Sequence, residues 1–405
     1  MALNVGFVIA ALCVAAFFAP LLAEVLGVPS AVIELLMGFG LSFLVPASAL
    51  VPNGAISNLG GLGFLVLMFL VGLEIDLRDI WSGSKSSLFM GVGLFAVSLV
   101  ASVFLMGDLA GASTIWILAG AATSVGVAAP VLYSHGWSGT RFGRDVLVVG
   151  SVAEILYLVV LTALSVANRH DSKTTTILLG ARTTLFIGFA LVLVLTIRKI
   201  RSRAPRHFHR WFRRDDPIEL GLRGAFAMLF VVVACAGVLH IPDVLGSLLA
   251  GIVFRIVIGN AKAVVERLTS VATSFFIPIF FLTVGLQTHV RADVQGVLPT
   301  VGLVLCALSV SRLVLIPYLM KRGDSFRQGL AGSFLLMAPL TLLITTAEIG
   351  SSAGLIGPRN ASALILTAAV SALIFPVAGK RLLAMKGGGE STSPRVPFEE
   401  TLAET

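Results

Sequence analysis

The middle of one apolar segment, residues 114 to 134, reads Thr123-Ser124-Val125-Gly126-Val127-Ala128-Ala129-Pro130. The segment is long enough to cross a bilayer, but glycine and proline in mid-span interrupt a helix and free backbone carbonyl groups. At membrane depth an interruption is tolerated where it lines a cavity or meets neighbouring helices. The stretch therefore predicts a discontinuous membrane helix with Gly126 and Pro130 at the break, and a simple proline kink is the alternative.

A second segment of this kind, residues 328 to 349, contains Met337-Ala338-Pro339-Leu340-Thr341. When the chain is shifted by 213 residues against itself, Gly126 falls on Pro339, so Pro339 and Thr341 mark the break in a repeat mate. The same shift aligns Leu26, Val28, Pro29, Leu35, Leu36 and Gly38 with Leu239, Ile241, Pro242, Leu248, Leu249 and Gly251, and Val71, Gly72 and Leu73 with Val284, Gly285 and Leu286.

The composition places these segments in a membrane protein. Hydrophobic residues make up 57% of the 405 residues and charged residues only 12%, which excludes a water-soluble globular protein. The chain divides into thirteen apolar spans: 4 to 26, 29 to 46, 58 to 77, 86 to 107, 114 to 134, 145 to 167, 177 to 197, 217 to 239, 241 to 258, 269 to 289, 297 to 320, 328 to 349 and 360 to 383. We therefore expect an all-α polytopic membrane protein with a transmembrane domain over residues 1 to 384.

The spacing of the matched segments sets the direction of the repeat. Matched segments lie seven spans apart, and an odd offset makes each pair cross the membrane in opposite directions. The sequence thus predicts an inverted-topology repeat with halves of about 27 to 167 and 240 to 383, an arrangement typical of secondary transporters.

Basic residues predict the orientation. The run after the seventh span, from Arg198 to Arg214, is expected in the cytoplasm, and alternation then puts most of the 29 Lys and Arg on that side. The N-terminus is therefore expected outside and the C-terminus inside the cell membrane, with residues 385 to 405 as a disordered cytoplasmic tail. A nucleic-acid patch is the alternative reading of the run, but we favour an orientation signal in contact with membrane lipids and expect no nucleic-acid partner.

Glu154 is the deepest carboxylate of the predicted spans. It lies about nine residues into the sixth span, among the small residues of Val149-Gly150-Ser151-Val152-Ala153-Glu154-Ile155. Because a charge at the bilayer centre costs about 2.5–3.5 kcal/mol on insertion scales, an acid there is a candidate functional residue. One carboxylate can bind a proton or an alkali cation but not both, which suits an exchange site. A protonated glutamate bonded to the backbone is the alternative.

Other groups complete the predicted site. Thr123, Ser124 and Thr341 carry hydroxyl oxygens, which suit an alkali cation. Arg312 lies about midway through the eleventh span and needs an anionic partner, so we predict a contact with Glu154 that compensates its charge, or else a purely structural ion pair. No catalytic or metal-ligand cluster is evident, and we expect no cofactor and no enzymatic activity.

Three segments resemble a known family: Phe69-Leu70-Val71-Gly72-Leu73-Glu74-Ile75-Asp76-Leu77, Leu245-Gly246-Ser247-Leu248-Leu249-Ala250-Gly251 and Phe280-Phe281-Leu282-Thr283-Val284-Gly285-Leu286. The chain is similar to the second cation:proton antiporter family, which includes bacterial sodium/proton exchangers and potassium efflux systems. The resemblance implies a homodimer and the sodium/proton antiporter fold, in which two unwound helices cross beside an ion-binding carboxylate. Glu154 falls where such proteins carry an essential aspartate, and Arg312 where they carry lysine or arginine.

The chain departs from the family pattern near Glu154. Glutamate replaces aspartate, Ala153 stands where relatives often carry Asp, Asn or Gln, and an Arg-Gly-Glu-like segment is absent from the twelfth span. A single carboxylate favours one-for-one exchange. We expect a secondary active antiporter that exchanges Na⁺ or K⁺ for H⁺ by alternating access. An exporter of an organic ion on the same scaffold and a gated channel or membrane sensor are the alternatives.

Overall fold

The structure is a computed structural model, and the residues that it describes are helical wherever they form regular secondary structure. The described residues are 5–43, 54–74, 85–107, 114–134, 137, 140–167, 185, 186, 188, 189, 191–197, 199, 203, 219–239, 241, 243–258, 262–287 and 294–384. The predicted tail, 385 to 405, lies outside them, as do residues 177 to 184 of the predicted seventh span, 177 to 197.

Within the described part of the chain, sixteen α-helices have defined bounds and are numbered in chain order. They are α1 (Val5–Leu26), α2 (Ser30–Leu41), α3 (Ala55–Glu74), α4 (Lys85–Met106), α5 (Thr114–Ala121), α6 (Ala128–Ser134), α7 (Arg141–Ala167), α8 (Leu220–Val238), α9 (Asp243–Ile258), α10 (Lys262–Val271), α11 (Ile277–Gln287), α12 (Val294–Arg312), α13 (Leu315–Lys321), α14 (Phe326–Leu336), α15 (Leu340–Ser352) and α16 (Pro358–Ala384). A π-helical turn, Ala272–Phe276, joins α10 to α11.

The length and composition of these helices fit a membrane protein. Among the described residues, eight helical segments are long and apolar enough to cross a membrane, and three of these segments are the successive pairs α10–α11, α12–α13 and α14–α15. Twelve predicted spans overlap one of these helices, and the described residues of the seventh span are also helical. The predicted all-α polytopic membrane fold is confirmed.

Two helices are interrupted where glycine and proline predict it. Helix α5 ends at Ala121 and α6 begins at Ala128, and α14 ends at Leu336 while α15 begins at Leu340. A further interruption was not predicted. A two-residue turn at Leu313 and Val314 separates α12, which ends at Arg312, from α13, which begins at Leu315, and Arg312 lies within the membrane-length segment Val297–Lys321 that the two helices form.

Four glycines allow two pairs of helices to approach until their backbones touch. A Cβ atom added at Gly38 or Gly285 would lie 2.1 Å from a backbone oxygen across the crossing of α2 and α11. At Gly251 and Gly72 the corresponding distances are 2.1 and 2.2 Å, across the crossing of α9 and α3. Only glycine fits at such contacts, because any side chain would force the helices apart.

The interrupted helices lie in the larger of the apolar cores. This core joins buried side chains of α4 to α7 with those of α12 to α16, and it also includes residues of α2, α3 and α11. A second core is formed mainly by α3, α8, α9 and α10. The last residue of α5, Ala121, and the first residue of α6, Ala128, are fully buried in this core, where an unpaired polar group is costly.

Candidate ion-binding site

The carboxylate of Glu154, midway along α7, meets the break between α5 and α6. The backbone N–H of Val125 donates a hydrogen bond to Oε2 at 2.9 Å, and the hydroxyl of Ser124 donates to Oε1 at 3.1 Å. The Ser124 oxygen in turn accepts the N–H of Gly126 at 3.2 Å. Because the backbone in this break has left the helical hydrogen-bond pattern, its donors are available to a carboxylate, and such bonds to a charged acceptor are among the stronger ones.

Arg312 occupies the other side of the same break. Its side chain is fully buried and donates from Nη1 to the carbonyl oxygen of Gly120 at 3.0 Å and from Nη2 to that of Ala122. These two carbonyls belong to the C-terminal end of α5, where helical carbonyls lack intrahelical partners and the helix dipole is negative. A guanidinium with several diverging donors can satisfy both carbonyls at once.

Thr123 and Ser124 link the two charged groups. Arg312 Nη2 donates to Thr123 Oγ1 at 2.7 Å, and the next residue along the chain is bonded to Glu154. The structure thus brings Thr123, Ser124, Glu154 and Arg312 together at a single break. The direct contact between Glu154 and Arg312 stays a prediction.

A cavity of about 630 Å³ opens beside Glu154. The predicted site residues that line it are Ser124, Gly126, Glu154 and Thr341. It extends to the end of the helices that carries Gly27 and Lys380, both of which are exposed. Both interrupted helices therefore contribute to one chamber that reaches an exposed end of the fold.

The remaining predicted residues lie at or near the breaks. Pro130 is the third residue of α6. Pro339 precedes the first turn of α15, with φ −82° and ψ 57°, and accepts the N–H of Leu343 at 3.0 Å. Thr341 is the second residue of α15, and its carbonyl oxygen accepts the hydroxyl of Thr345 at 2.7 Å.

Sequence reasoning did not identify a polar contact that joins α7 to α15. Tyr157, one turn beyond Glu154, is fully buried and hydrogen-bonded to the hydroxyl of Thr346. Since Thr346 donates its own proton to the carbonyl of Leu342, Tyr157 is the donor of this bond. A lone tyrosine in an apolar segment is an ordinary packing residue, so the sequence carries no signal for this contact.

A charged network at the start of α7 was also missed. Asp145 accepts hydrogen bonds from Arg322 Nε at 2.6 Å and from Ser87 at 2.8 Å. Nearby, burial raises the pKa of Asp324, although the positive charge of Arg141 acts against this shift. Acidic and basic residues near the ends of spans normally face the membrane surface. The partners in this network come from segments far apart in the chain, so no local pattern in the sequence indicates it.

Comparison with known proteins identifies relatives over most of the chain. The chain is 30% identical over 394 residues to the putative Na⁺/H⁺ antiporter YjbQ of Bacillus subtilis, covering 91% of this chain and 62% of the relative. It is 24% identical over 363 residues to the high-affinity Na⁺/H⁺ antiporter NhaS3 of Synechocystis, covering 86% and 76% of the two chains. The chain thus spans less than two thirds of the length of YjbQ, and both relatives are transporters by name.

A solved structure agrees with the fold. The sodium proton antiporter MjNhaP1 of Methanocaldococcus jannaschii superimposes with a TM-score of 0.62 at 17% sequence identity, covering 94% of this chain and 98% of that one. The family model described as sodium/hydrogen exchanger, transmembrane, matches residues 13–385. The predicted cation:proton antiporter resemblance is confirmed, and the chain belongs to the sodium/hydrogen exchanger family of transmembrane proteins.

Proposed function

We propose that this chain exchanges a monovalent cation, Na⁺ or K⁺, for H⁺ across the cell membrane, with Glu154 as the group that binds either ion. The observation that carries the proposal is the carboxylate in the cavity at the helix break, held by Ser124 and the Val125 N–H. A proton or a cation that binds to Glu154 must bind to the same carboxylate oxygens that accept these hydrogen bonds. Because both ions need the same oxygens, loading one excludes the other.

Ser124 and Thr341 are the hydroxyl groups best placed to help bind the cation, since both line the cavity with Glu154. The hydroxyl of Thr123 is bonded to Arg312 in this conformation, so Thr123 would join the ion site only after that bond changes. Arg312 stabilises the break by compensating the end of α5. Its positive charge also favours the ionised form of a nearby acid when the site is empty.

One-for-one exchange follows from the residue beside Glu154. Ala153 is apolar and fully buried, so it offers no second carboxylate at the position next to the ion site. One acid that takes up one cation or one proton moves the same charge in both directions. We therefore expect transport to be electroneutral.

Alternating access is supported by contacts that the 213-residue shift relates. If 213 is added to the number of one contacting residue and subtracted from the number of the other, the contact of Gly38 with Leu282 becomes the contact of Gly251 with Phe69. The same operation converts the contact of Gly285 with Leu35 into that of Gly72 with Leu248. Such an exchange of partners is expected of two inverted halves, about residues 27–167 and 240–383, that can adopt inward-open and outward-open states of similar energy.

The orientation proposed from the basic residues is N-terminus outside and C-terminus in the cytoplasm, and the cavity end with Gly27 and Lys380 then faces inward. The described conformation is accordingly inward-open. We also propose a homodimer in contact with membrane lipids. Its support is the family resemblance and the exposed apolar side chains of α1, among them Phe7, Phe17 and Val25.

Reconstituted vesicles with an internal pH-sensitive dye test the proposed exchange. Addition of Na⁺, K⁺ or Li⁺ in parallel should give saturable, cation-dependent proton movement that is lost in Glu154→Gln. Ser151→Ala, one turn earlier on α7, serves as the matched control and should retain the wild-type rate. Proton movement that persists in Glu154→Gln would refute the role of Glu154. Unsaturable flux without proton coupling would indicate a channel, and cation-independent behaviour would favour an organic-ion exporter.

A further inference from the structure

Helix α15 carries a polar stripe that begins in the cavity and runs away from its inner mouth. Thr341, Thr345, Glu348 and Ser352 follow one another at intervals of four, three and four residues, so they lie on one side of the helix. Thr341 lines the cavity with Glu154, and Ser352, at the far end of α15, is exposed. The stripe therefore connects the ion site with the end of the fold opposite to Lys380.

Glu348 is the acid of this stripe. Its side chain is partly buried and forms no hydrogen bond or ion pair with any residue that the structure describes. Two turns of helix separate it from Thr341. An intramembrane acid without a partner is costly, so it is a candidate for a role that needs an available carboxylate.

The stripe is closed halfway along its length. Thr345 is buried, and its hydroxyl packs against the sulfur of Met68 in α3 at 3.8 Å. Met68 itself is fully buried, while its neighbours Leu67 and Val71 line the inner cavity. The seam between Met68 and Thr345 thus separates the chamber beside Glu154 from Glu348.

We propose that the polar stripe of α15 lines the route by which ions reach Glu154 from the outer side, and that Glu348 attracts cations into this route. The inference rests on the proposed exchange function and on the proposed orientation. In the outward-open state α15 and α3 separate at Thr345 and Met68, and the three hydroxyls and one carboxylate of the stripe replace water around the ion. The stripe supplies only oxygen ligands, which suits an alkali cation.

Labelling of single cysteines tests the route without relying on transport. In a background in which Cys13, Cys235 and Cys306 are replaced by serine, Glu348→Cys should react with a membrane-impermeant maleimide added from the outer side. Thr345→Cys should react from that side only under ion gradients that favour the outward-open state. Leu343→Cys is the control, because Leu343 is fully buried and lies on the opposite side of α15.

Each outcome decides the inference. Reaction of the Glu348 and Thr345 variants without reaction of the Leu343 variant supports the route. Absence of outer labelling at Glu348, or equal labelling at Leu343, overturns it. The dye assay in the same vesicles distinguishes failure of the proposed route from failure of the proposed function. If exchange is present but Glu348→Cys is not labelled from the outer side, only the route is rejected. If the chain without these cysteine substitutions shows no exchange, the proposed function is rejected.

A kinetic variant provides a second test. Glu348→Gln keeps the side-chain volume and removes the charge, so the apparent KM for external cation should rise about 3- to 10-fold with kcat unchanged, as expected when a charged entrance no longer concentrates the ion. Glu348→Asp should restore the wild-type KM. An unchanged KM in Glu348→Gln would show that Glu348 only faces the membrane surface.

Discussion

The substitution Gly251→Ala should destabilise the protein by forcing two helices apart. The added Cβ would lie 2.1 Å from the backbone oxygen of Phe69, whereas real Cβ atoms essentially never come closer than 3.0 Å, so α9 and α3 must separate by about 0.9 Å at this point. A gap of 0.5–1 Å already removes roughly a quarter to a half of the dispersion energy of each contact along the crossing. Neither the added carbon nor the carbonyl can rotate away, so we expect a cost of about 3 kcal/mol, the upper part of the usual range for overpacking.

Thermal unfolding in detergent measures this cost. With an unfolding entropy of about 2.1 cal/mol/K per residue, 3 kcal/mol corresponds to a decrease of roughly 3–4 °C in the midpoint. Gly38→Ala should give a similar decrease, because its added Cβ also meets a backbone oxygen at 2.1 Å. Gly302→Ala is the control, since nothing lies within 4 Å of its added Cβ, and alanine favours the helix. Unfolding of Gly251→Ala at the wild-type midpoint would refute the close contact of α9 and α3.

Three further predictions concern individual polar groups. Ser124→Ala removes a hydrogen bond worth about 1.5–3 kcal/mol to ionised Glu154, so the pH profile of exchange in the dye assay should move upward by about 1–2 units. Arg312→Ala removes a positive charge near the same acid and should also move the pH optimum upward, by about one unit. Burial raises the pKa of Asp324, so its carboxylate costs stability as the pH rises above the ordinary range of aspartate. Asp324→Asn should therefore increase the free energy of unfolding at neutral pH, by less than about 1 kcal/mol because the group is partly exposed, and so raise the unfolding midpoint; the gain should vanish in acid.

Matched controls separate these effects from general disturbance. Ser151→Ala should leave the pH profile of exchange unchanged, and Arg381→Met, an exposed arginine near the end of α16, should leave both the pH optimum and the stability unchanged. A wild-type pH profile in Ser124→Ala or in Arg312→Ala would contradict the proposed coupling to Glu154. A lower midpoint of Asp324→Asn at neutral pH would show that the carboxylate of Asp324 stabilises the fold.

The sequence predicts the helices and the two breaks well because both depend on local composition. Apolar length sets the spans, and Gly126 and Pro339 lie in the gaps between α5 and α6 and between α14 and α15. Glu154 is visible in the sequence because an acid in an apolar span is rare. These properties need no knowledge of tertiary contacts.

The partners of the charged groups could not be predicted in the same way. The sequence predicts an anionic partner for Arg312 but gives no sign of its hydrogen bonds to the backbone carbonyls of Gly120 and Ala122, because every residue has such a carbonyl. Only the broken end of α5 makes these two available. The bond of Tyr157 to Thr346 joins residues 189 positions apart, and no local pattern records it.

The glycine crossings also constrain how the chain is made. Each crossing takes one helix from each half, so α2 and α3 leave the ribosome about 180–250 residues before the helices that cover them. At a synthesis rate of about 5–20 residues per second, their grooves remain uncovered for roughly 10–50 s. During biogenesis, lipid or the insertion machinery must shield Gly38 and Gly72 until α9 and α11 arrive.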